Sequence, residues 1–354
     1  MKDNLIKLVV ENFFKISFAL SMIVLFIYIM MPFMVAIILG GILAMALAPF
    51  VEYFIRRGLK RSTSLMLFSF LVGLIGLVPV VAFFIRGSRL MTNLLHQSNF
   101  QQLTQQLQTS SLNFIDHFCS IYGLDKTMVN NKIISIITYV GTSLSGIFSD
   151  LVIDLPNIFL TGFVTILSLY CFLSQSDKIR FLFDRYFHFK QQNGDAFIRM
   201  IKICCREVFF SNIITGILQA TVVSMGALIF SAGDVFLVFF ITFFVSFIPI
   251  IGAAPVAAVL AILCFIESRF GPGIGMLVVA GVSGISDNVI RPLLGSLGVV
   301  EVHPFIGLLA VIGGVIMFGL PGLFIGPLVA SLIFGALPII IEEYFPHTKD
   351  MNAI

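Results

Sequence analysis

Between Val302 and Ile341 the chain runs about forty residues without a Lys, Arg, Asp or Glu, roughly twice what one helix needs to cross a bilayer. The run is not uniform. Pro304, Gly313, Gly314, Gly319, Pro321, Gly322, Gly326 and Pro327 interrupt it, and a small charged group, Asp287, Arg291 and Glu301, stands just ahead. Irregular backbone at membrane depth survives only where protein buries it or where it lines a wet cavity. A single anchor helix needs no such breaks, so the pattern calls for a polytopic protein with a pathway inside it.

Six more charge-free runs precede this one: Ile16–Val51, Ser62–Ile85, Leu155–Ser176, Val208–Gly233, Val235–Ile266 and Phe270–Ser286. With 58% hydrophobic and 11% charged residues, the chain lies outside the soluble range, where about a quarter of residues are charged. At about 20 residues per span, Ile16–Val51 is expected to form a hairpin of two helices turning near Met31-Pro32. The next three runs are one helix each. Val235–Ile266 and Val302–Ile341 are too long for one straight span, so each is either a broken helix or a span plus a re-entrant half. The expected fold is all-α: a polytopic transmembrane helical protein of about eight spans, with broken or re-entrant helices in the C-terminal half.

Lys and Arg density orients it. Arg56, Arg57, Lys60 and Arg61 crowd one loop, and seven basic residues from Lys178 to Arg206 crowd another. Arg86–Asp154, more than twice as long as the second, holds only Arg86, Arg89, Lys126 and Lys132. Both dense loops are therefore expected in the cytoplasm and Arg86–Asp154 outside, with the amino terminus cytoplasmic. Lys2, Lys7 and Lys15 precede an apolar stretch that continues to Val51, with Asp3 and Glu11 among them, so a retained first span is expected rather than a cleaved signal. The organisation reads as a three-span part over 1–85, a helical extracytoplasmic insert over 86–154, a fourth span over 155–176, a cytoplasmic interfacial helical segment over 177–207, and a membrane core over 208–354. Leucines and phenylalanines recur at helical spacing from Leu90 to Phe118, which suits a small lid or a solvated helical linker.

Several chemistries lack their residues. There is no basic aromatic patch for nucleic acid and no glycine-rich loop ending in Lys and Ser/Thr for ATP. The five cysteines have neither metal nor redox spacing, so no metal or other cofactor is expected. Gly281-Val282-Ser283-Gly284 matches the nucleophile motif of rhomboid proteases. That match arises easily by chance in a chain with 29 Gly, and the downstream histidines are only His303 and His347. An enzyme is not expected.

Features that suit transport are more specific. Phe247-Ile248-Pro249 leads through Gly252 to Pro255, and Phe318-Gly319-Leu320-Pro321 leads through Gly322 and Gly326 to Pro327. Paired interruptions of this kind point to a transporter's binding site, because a broken helix frees backbone N–H and C=O groups at mid-depth. The alternative is that these residues simply permit close helix packing. Asp287 and Arg291 lie four apart, so on a helix they share a face. Asn288 and Pro292 flank them, and Glu301 and His303 follow. Gln219, with Thr215 and Thr221, sits in an apolar run, where it either joins helices by hydrogen bonds or lines a path.

Taken in order, Pro49-Phe50, Arg57-Gly58-Leu59, Phe247-Ile248-Pro249 with Gly252 and Pro255, Asp287-Asn288 with Arg291-Pro292, His303-Pro304, Gly313-Gly314, Phe318-Gly319, Gly322 and Gly326-Pro327 resemble the autoinducer-2 exporter family of bacterial membrane proteins. The resemblance covers essentially the whole chain. It implies a multi-pass protein of the bacterial inner membrane that forms homo-oligomers. It also implies a function in exporting a small polar solute such as the quorum-sensing signal autoinducer-2, or in sodium/proton antiport. The positions carried over are Asp287, Asn288, Pro292, His303, Pro304 and the Gly/Pro breaks. One departure is Ser211-Asn212, where members often have Gly-Gln. In an export mode the solute would bond to backbone freed at the breaks, with Arg291 partnering Asp287. In an antiport mode Asp287 or Glu301 would alternate between proton and sodium. A third expectation is a non-transporting scaffold that docks through 86–154.

Overall fold

The computed structural model describes residues 2–95, 135, 146, 149–186, 191–248, 252–267, 269–295 and 302–344; side chains of 2–12, 90–95, 191, 266 and 286–295 fall outside that description. The described part is all-α, with eleven helices. They are α1 (Lys2–Met30), α2 (Met34–Arg56), α3 (Arg61–Leu95), α4 (Leu155–Ser174), α5 (Ser176–Tyr186), α6 (Gln191–Ile229), α7 (Val235–Val245), α8 (Ala254–Ile266), α9 (Phe270–Gly295), α10 (Pro304–Phe318) and α11 (Gly322–Tyr344). Five helical stretches are long and apolar enough to cross a membrane: 13–56, 61–89, 155–174, 192–229 and 322–344. Four shorter apolar helices accompany them. The lid or linker expected over 90–118 lies almost wholly outside the described residues.

The hairpin expected at Met31-Pro32 is not formed. A single 3-10 turn, Met31–Phe33, joins α1 to α2, and Met30, Phe33 and Met34 keep right-handed helical angles. Proline in the first turn loses no helical hydrogen bond, so Pro32 is accommodated rather than disruptive. Reversing the chain would need a residue outside the helical basin, and none of Met31, Pro32 or Phe33 has positive φ. Helix therefore continues from Phe13 to Arg56 through that turn. From Phe13 to Ile29 every α1 residue is exposed, the surface expected of a helix bathed in acyl chains.

Helices α2, α3 and α4 pack through small residues. A Cβ added at Gly40 would lie 2.5 Å from Ser168 Cβ and 2.8 Å from the Thr165 carbonyl oxygen, and Gly73 meets Ile166 in the same way. Without a hydrophobic drive between helices in lipid, such close approach is a main source of association. Two ion pairs on α3 bracket its apolar length. Arg61 pairs with Asp177 at 3.2 Å where α4 gives way to α5. Arg86 pairs with Asp234 at 3.5 Å where α7 begins. The 25 steps between them span about 38 Å, more than the hydrocarbon core and less than the full bilayer.

α6 is the axis of the molecule. Its 39 residues rise about 58 Å, and it begins at Gln191 rather than Val208, so the boundary expected at Glu207 falls inside a helix. Nothing between Gln191 and Ile229 breaks it, and Arg199, Lys202 and Arg206 point away from neighbours. Arg180 of α5 bonds both Asp184 and Asp195, which tethers α5 to the start of α6 and raises the guanidinium pKa above its ordinary value. The first half of α6 packs against α2 and α11: Cys204 lies 3.7 Å from the Ser331 carbonyl oxygen and Cys205 3.8 Å from Met45 Sδ. The second half packs against α7, α8 and α9, with Gly216 against Phe243 and Phe247, and Gly226 against Met276 and Val279.

The two over-long runs resolve differently. Val302–Ile341 is a helical hairpin, α10 and α11, reversed at Gly319, whose φ of +65° suits glycine. Its glycines allow backbone contact rather than an open break: a Cβ at Gly322 would come within 1.9 Å of the Gly314 carbonyl oxygen, and one at Gly326 within 2.0 Å of that of Ala310. Val235–Ile266 is re-entrant, as described next.

Candidate functional site

Asp234 accepts hydrogen bonds from the N–H groups of Phe236 (3.0 Å) and Leu237 (2.9 Å) and so starts α7 at the membrane face marked by Arg86. α7 has 11 residues and rises about 16 Å, half the hydrocarbon thickness. It stops at Ser246. Gly252, with φ of +56°, and Pro255 in the first turn of α8 then redirect the chain. α8 returns to the starting face, because Arg269 just beyond it donates to the carbonyls of Phe230 (2.7 Å) and Ser231 (3.0 Å) at the end of α6. The base of the hairpin is thus tied, and its tip is at mid-depth. Ala253, Ala257, Ala261 and Cys264 form a buried stripe that seats α8 against Val223, Ala227 and Met276.

A row of polar side chains is buried around that tip. Asn212, Thr215 and Gln219 of α6 stand at i, i+3 and i+7 with 6%, 0% and 0% exposure. Thr242 of α7 and Ser246, which caps its end, stand at i and i+4, and Ser283 of α9 is next to Gly284, whose added Cβ would lie 3.7 Å from Ala254 at the tip; all three are at 0%. Gly216, in the middle of the α6 row, is the point where Phe243 and Phe247 touch that helix, so the two polar sets flank one contact. Ser246 donates to the Phe243 carbonyl at 2.7 Å. By contrast Asn212 Nδ2, Thr215 Oγ1 and Thr242 Oγ1 are fully shielded and have no partner among the described residues. Leaving a buried polar group unbonded costs about 1–3 kcal/mol, so three together ask for a reason.

Phe247 closes the row. It is 1% exposed at the hairpin tip, with ring centroids 4.8 Å from Phe243 and 5.1 Å from Phe324 of α11. Val311 of α10 and Leu323 of α11 complete this apolar plug. A groove between α10 and α11, lined by Ile306, Leu309, Met317, Val329, Ile333 and Phe334, is wholly apolar and lies apart from the polar row.

The residues singled out from sequence fall in three groups. Gln219 is in the row. Gly252, Pro255 and the neighbourhood of Pro249, itself outside the described residues, form the tip. Asp287, Asn288, Arg291 and Pro292 lie on the last turns of α9, so Asp287 and Arg291 do share a helix face; their side chains are outside the description, as is all of Glu301. Gly284, three residues before Asp287, lies 3.7 Å from Ala254 at the tip as measured from an added Cβ. The third group is structural. His303 is exposed and caps α10, its Nδ1 accepting from the Phe305 N–H at 3.3 Å, and Pro304 opens that helix. Gly314, Gly319, Pro321, Gly322 and Gly326 serve the α10–α11 packing and turn, Gly313 touches nothing, and Pro327 is inside α11. Thr221 is exposed and bonds the Ile217 carbonyl at 2.7 Å, outside the row. Thr242 and Ser246 carry no sequence signal, Asn212 enters the sequence reading only as a departure from the family pattern, and Phe247 only as the first residue of the Phe247-Ile248-Pro249 break. The signal available was the one-face spacing of Asn212, Thr215 and Gln219 inside an apolar run.

Membrane-crossing helices, a half-depth hairpin and buried polar groups at its tip define a polytopic membrane protein with a polar centre. The sequence profile described as "AI-2E family transporter" matches residues 17–341, and the chain belongs to that family of bacterial membrane transporters. Two similar proteins carry the description "Putative transport protein". One is YdiK of Escherichia coli (strain K12), 29% identical over 161 residues, which are 46% of this chain and 43% of that protein. The other is from Buchnera aphidicola subsp. Schizaphis graminum (strain Sg), 29% identical over 143 residues, 40% of this chain and 39% of that one. The chain thus matches less than half the length of these curated relatives.

Proposed function

We propose that the chain exports a small, neutral, hydrogen-bonding solute across the bacterial inner membrane, along α6 and past the tip of the α7–α8 hairpin. The single observation that carries this is the row Asn212, Thr215, Gln219, Thr242, Ser246 and Ser283, buried and neutral throughout, in which Asn212 Nδ2, Thr215 Oγ1 and Thr242 Oγ1 have no partner among the described residues. Neutral hydroxyls and amides match the hydroxyls and carbonyls of a small polyhydroxylated molecule such as autoinducer-2, and they cost less to bury than charges. Protein reconstituted in liposomes should release entrapped autoinducer-2 faster than protein-free liposomes loaded in the same way. Equal release would reject the proposal.

Sodium/proton antiport is the second reading, favoured by one placement: Asp287 follows the tip contact at Gly284 by one helical turn. Carboxylates inside membranes commonly mark ion paths. On this reading Asp287→Asn, and Glu301→Gln if that group takes part, abolish sodium-driven proton movement in liposomes. Retention of full exchange in both variants would dismiss it. The cytoplasmic amino terminus and homo-oligomeric assembly belong to the same proposal. Basic residue density supports the first, and the exposed stretch of α1 from Phe13 to Ile29 leaves room for the second.

A further inference from the structure

Glu207 differs from the other described carboxylates. It lies on α6, five residues before Asn212. Cys204 and Val208 beside it are buried in a cluster with Ile42 of α2 and Ile325 and Leu328 of α11. The residue is half-buried, and its Oε2 is fully shielded, with no hydrogen-bond partner and no ion pair among the described residues. Elsewhere carboxylates have partners: Asp177 has Arg61, Asp184 and Asp195 share Arg180, Asp234 has Arg86 and two N–H groups, Glu267 has Arg269, and Glu343 has Asn193. Glu52, Asp150, Asp154 and Glu342 are exposed to solvent.

The helices around Glu207 offer nothing to neutralise it. α2 has no titratable residue from Met34 to Val51, α11 none from Gly322 to Ile341, and α7 none at all. α8 contributes only Cys264, and α9 contributes none before Asp287, whose side chain, like that of Arg291, is outside the description. On α6 the neighbours are the Cys204 thiol and the exposed Lys202 and Arg206. A carboxylate anion with a shielded, undonated oxygen is poorly stabilised, whereas the neutral acid is tolerated.

We propose that Glu207 is a proton-carrying site at the foot of the polar row. In the closed arrangement described here it holds the proton as –COOH. When the path opens to water it releases it, –COOH giving –COO⁻ and H⁺, so that one proton moves with the conformational change. The link to solute movement rests on the function proposed above; the protonation itself does not.

The two are tested separately. The full-length protein in liposomes is treated with dicyclohexylcarbodiimide at a series of pH values, and the adducts are located by peptide mapping. The O–H of a protonated carboxyl in apolar surroundings adds across a C=N bond of this reagent and rearranges to a stable N-acylurea, with nothing leaving. Glu207 should be modified at neutral pH at least about tenfold faster than exposed Glu52 and half-exposed Glu267, with the advantage lost as pH rises. Modification no faster than theirs overturns the proposal, and suppression by sodium at constant pH overturns the proton as the occupant. Glu207→Gln keeps a neutral side chain of the same size. It should flatten the pH dependence of autoinducer-2 release while leaving its rate at low pH near wild type. An unchanged pH profile alongside clear Glu207 modification overturns the coupling. Absence of any release by wild type alongside that modification instead faults the solute reading.

Discussion

Replacing Thr215 or Thr242 with valine separates folding from function at the polar row. Valine keeps the branched shape and substitutes a methyl for the hydroxyl. Both hydroxyl oxygens are shielded and unbonded, so each costs the folded protein about 1–3 kcal/mol of desolvation that no partner returns. The replacing methyl is worth about 0.8 kcal/mol of burial. Part of the hydroxyl penalty is relieved when the hydroxyl bonds back to its own helix, as Thr221 does. A net gain of about 1–2 kcal/mol per substitution is therefore expected.

The assay is unfolding of purified protein in detergent, scored beside release of autoinducer-2 from liposomes. Each variant should be as stable as wild type or more so, while release falls by about tenfold, the loss of one hydrogen bond to bound solute. The double variant should lose less than the product of the two single losses if both groups serve one solute. A Thr215→Val protein less stable by more than about 1 kcal/mol would show that the hydroxyl is bonded in the native state, and the reasoning would fail. Greater stability with unimpaired release would refute the site.

Three other perturbations test the frame around it. Gly322→Ala places a methyl 1.9 Å from the Gly314 carbonyl oxygen and should unfold or separate the α10–α11 hairpin; Gly313→Ala, with nothing within 4 Å, should be neutral or stabilising by up to about 1 kcal/mol, both read by thermal unfolding. Asp234→Ala removes the cap of α7 and the Arg86 contact and should cost about 1–2 kcal/mol, measurable in the same assay. Phe247→Ala opens the plug and should raise passive leak of small solutes from liposomes, whereas Phe305→Ala, on an exposed part of α10, should not.

What was legible in the sequence follows from what a charge pattern encodes. Absence of charge over about twenty residues is set by the dielectric of the bilayer, so the ranges of α4 and the α10–α11 pair and the start of α3 could be read directly, whereas α3 runs on to Leu95, past the boundary expected at Ile85. The re-entrant alternative for Val235–Ile266 was also readable, because Gly252 and Pro255 sit where two half-length helices meet. The course of the chain at Pro32 was not, since proline opens a helical turn as readily as it ends one and only backbone angles decide. The start of α6 was missed for a related reason. Arg199, Lys202 and Arg206 mark solvent-facing positions on a continuous helix, and the run between charges is only its apolar part. Most of the Gly/Pro breaks after Gly313 turned out to be contacts, because a glycine that permits close approach looks the same in sequence as one that bends the chain. The polar row lay half-visible in Gln219 and Thr215. Its partners Thr242 and Ser246 are ordinary in composition and become notable only when burial is known.

The two walls of the row differ in a way that bears on how it works. One wall is α6, continuous over 39 residues and buried by neighbours on both halves. The other is the α7–α8 hairpin, fixed at its base by Asp234, Arg86 and Arg269 and at its tip by aromatic contact around Phe247. Apolar contact has no directional bonds to break, so it can slide, whereas the tied base acts as a pivot. Ser231, with φ of +48°, and Gly233, with φ of +135°, give that pivot two residues already outside the helical basin. Solute access is then expected through motion of the tip against α10 and α11. Cysteines placed at Phe247 and Phe324, whose rings are 5.1 Å apart, can be joined by a short bifunctional thiol reagent in a background where Cys171 and the other native cysteines are replaced. Joining them should stop autoinducer-2 release, and cleaving a reducible version of the linker should restore it. Full release with the tip joined would place the moving part elsewhere.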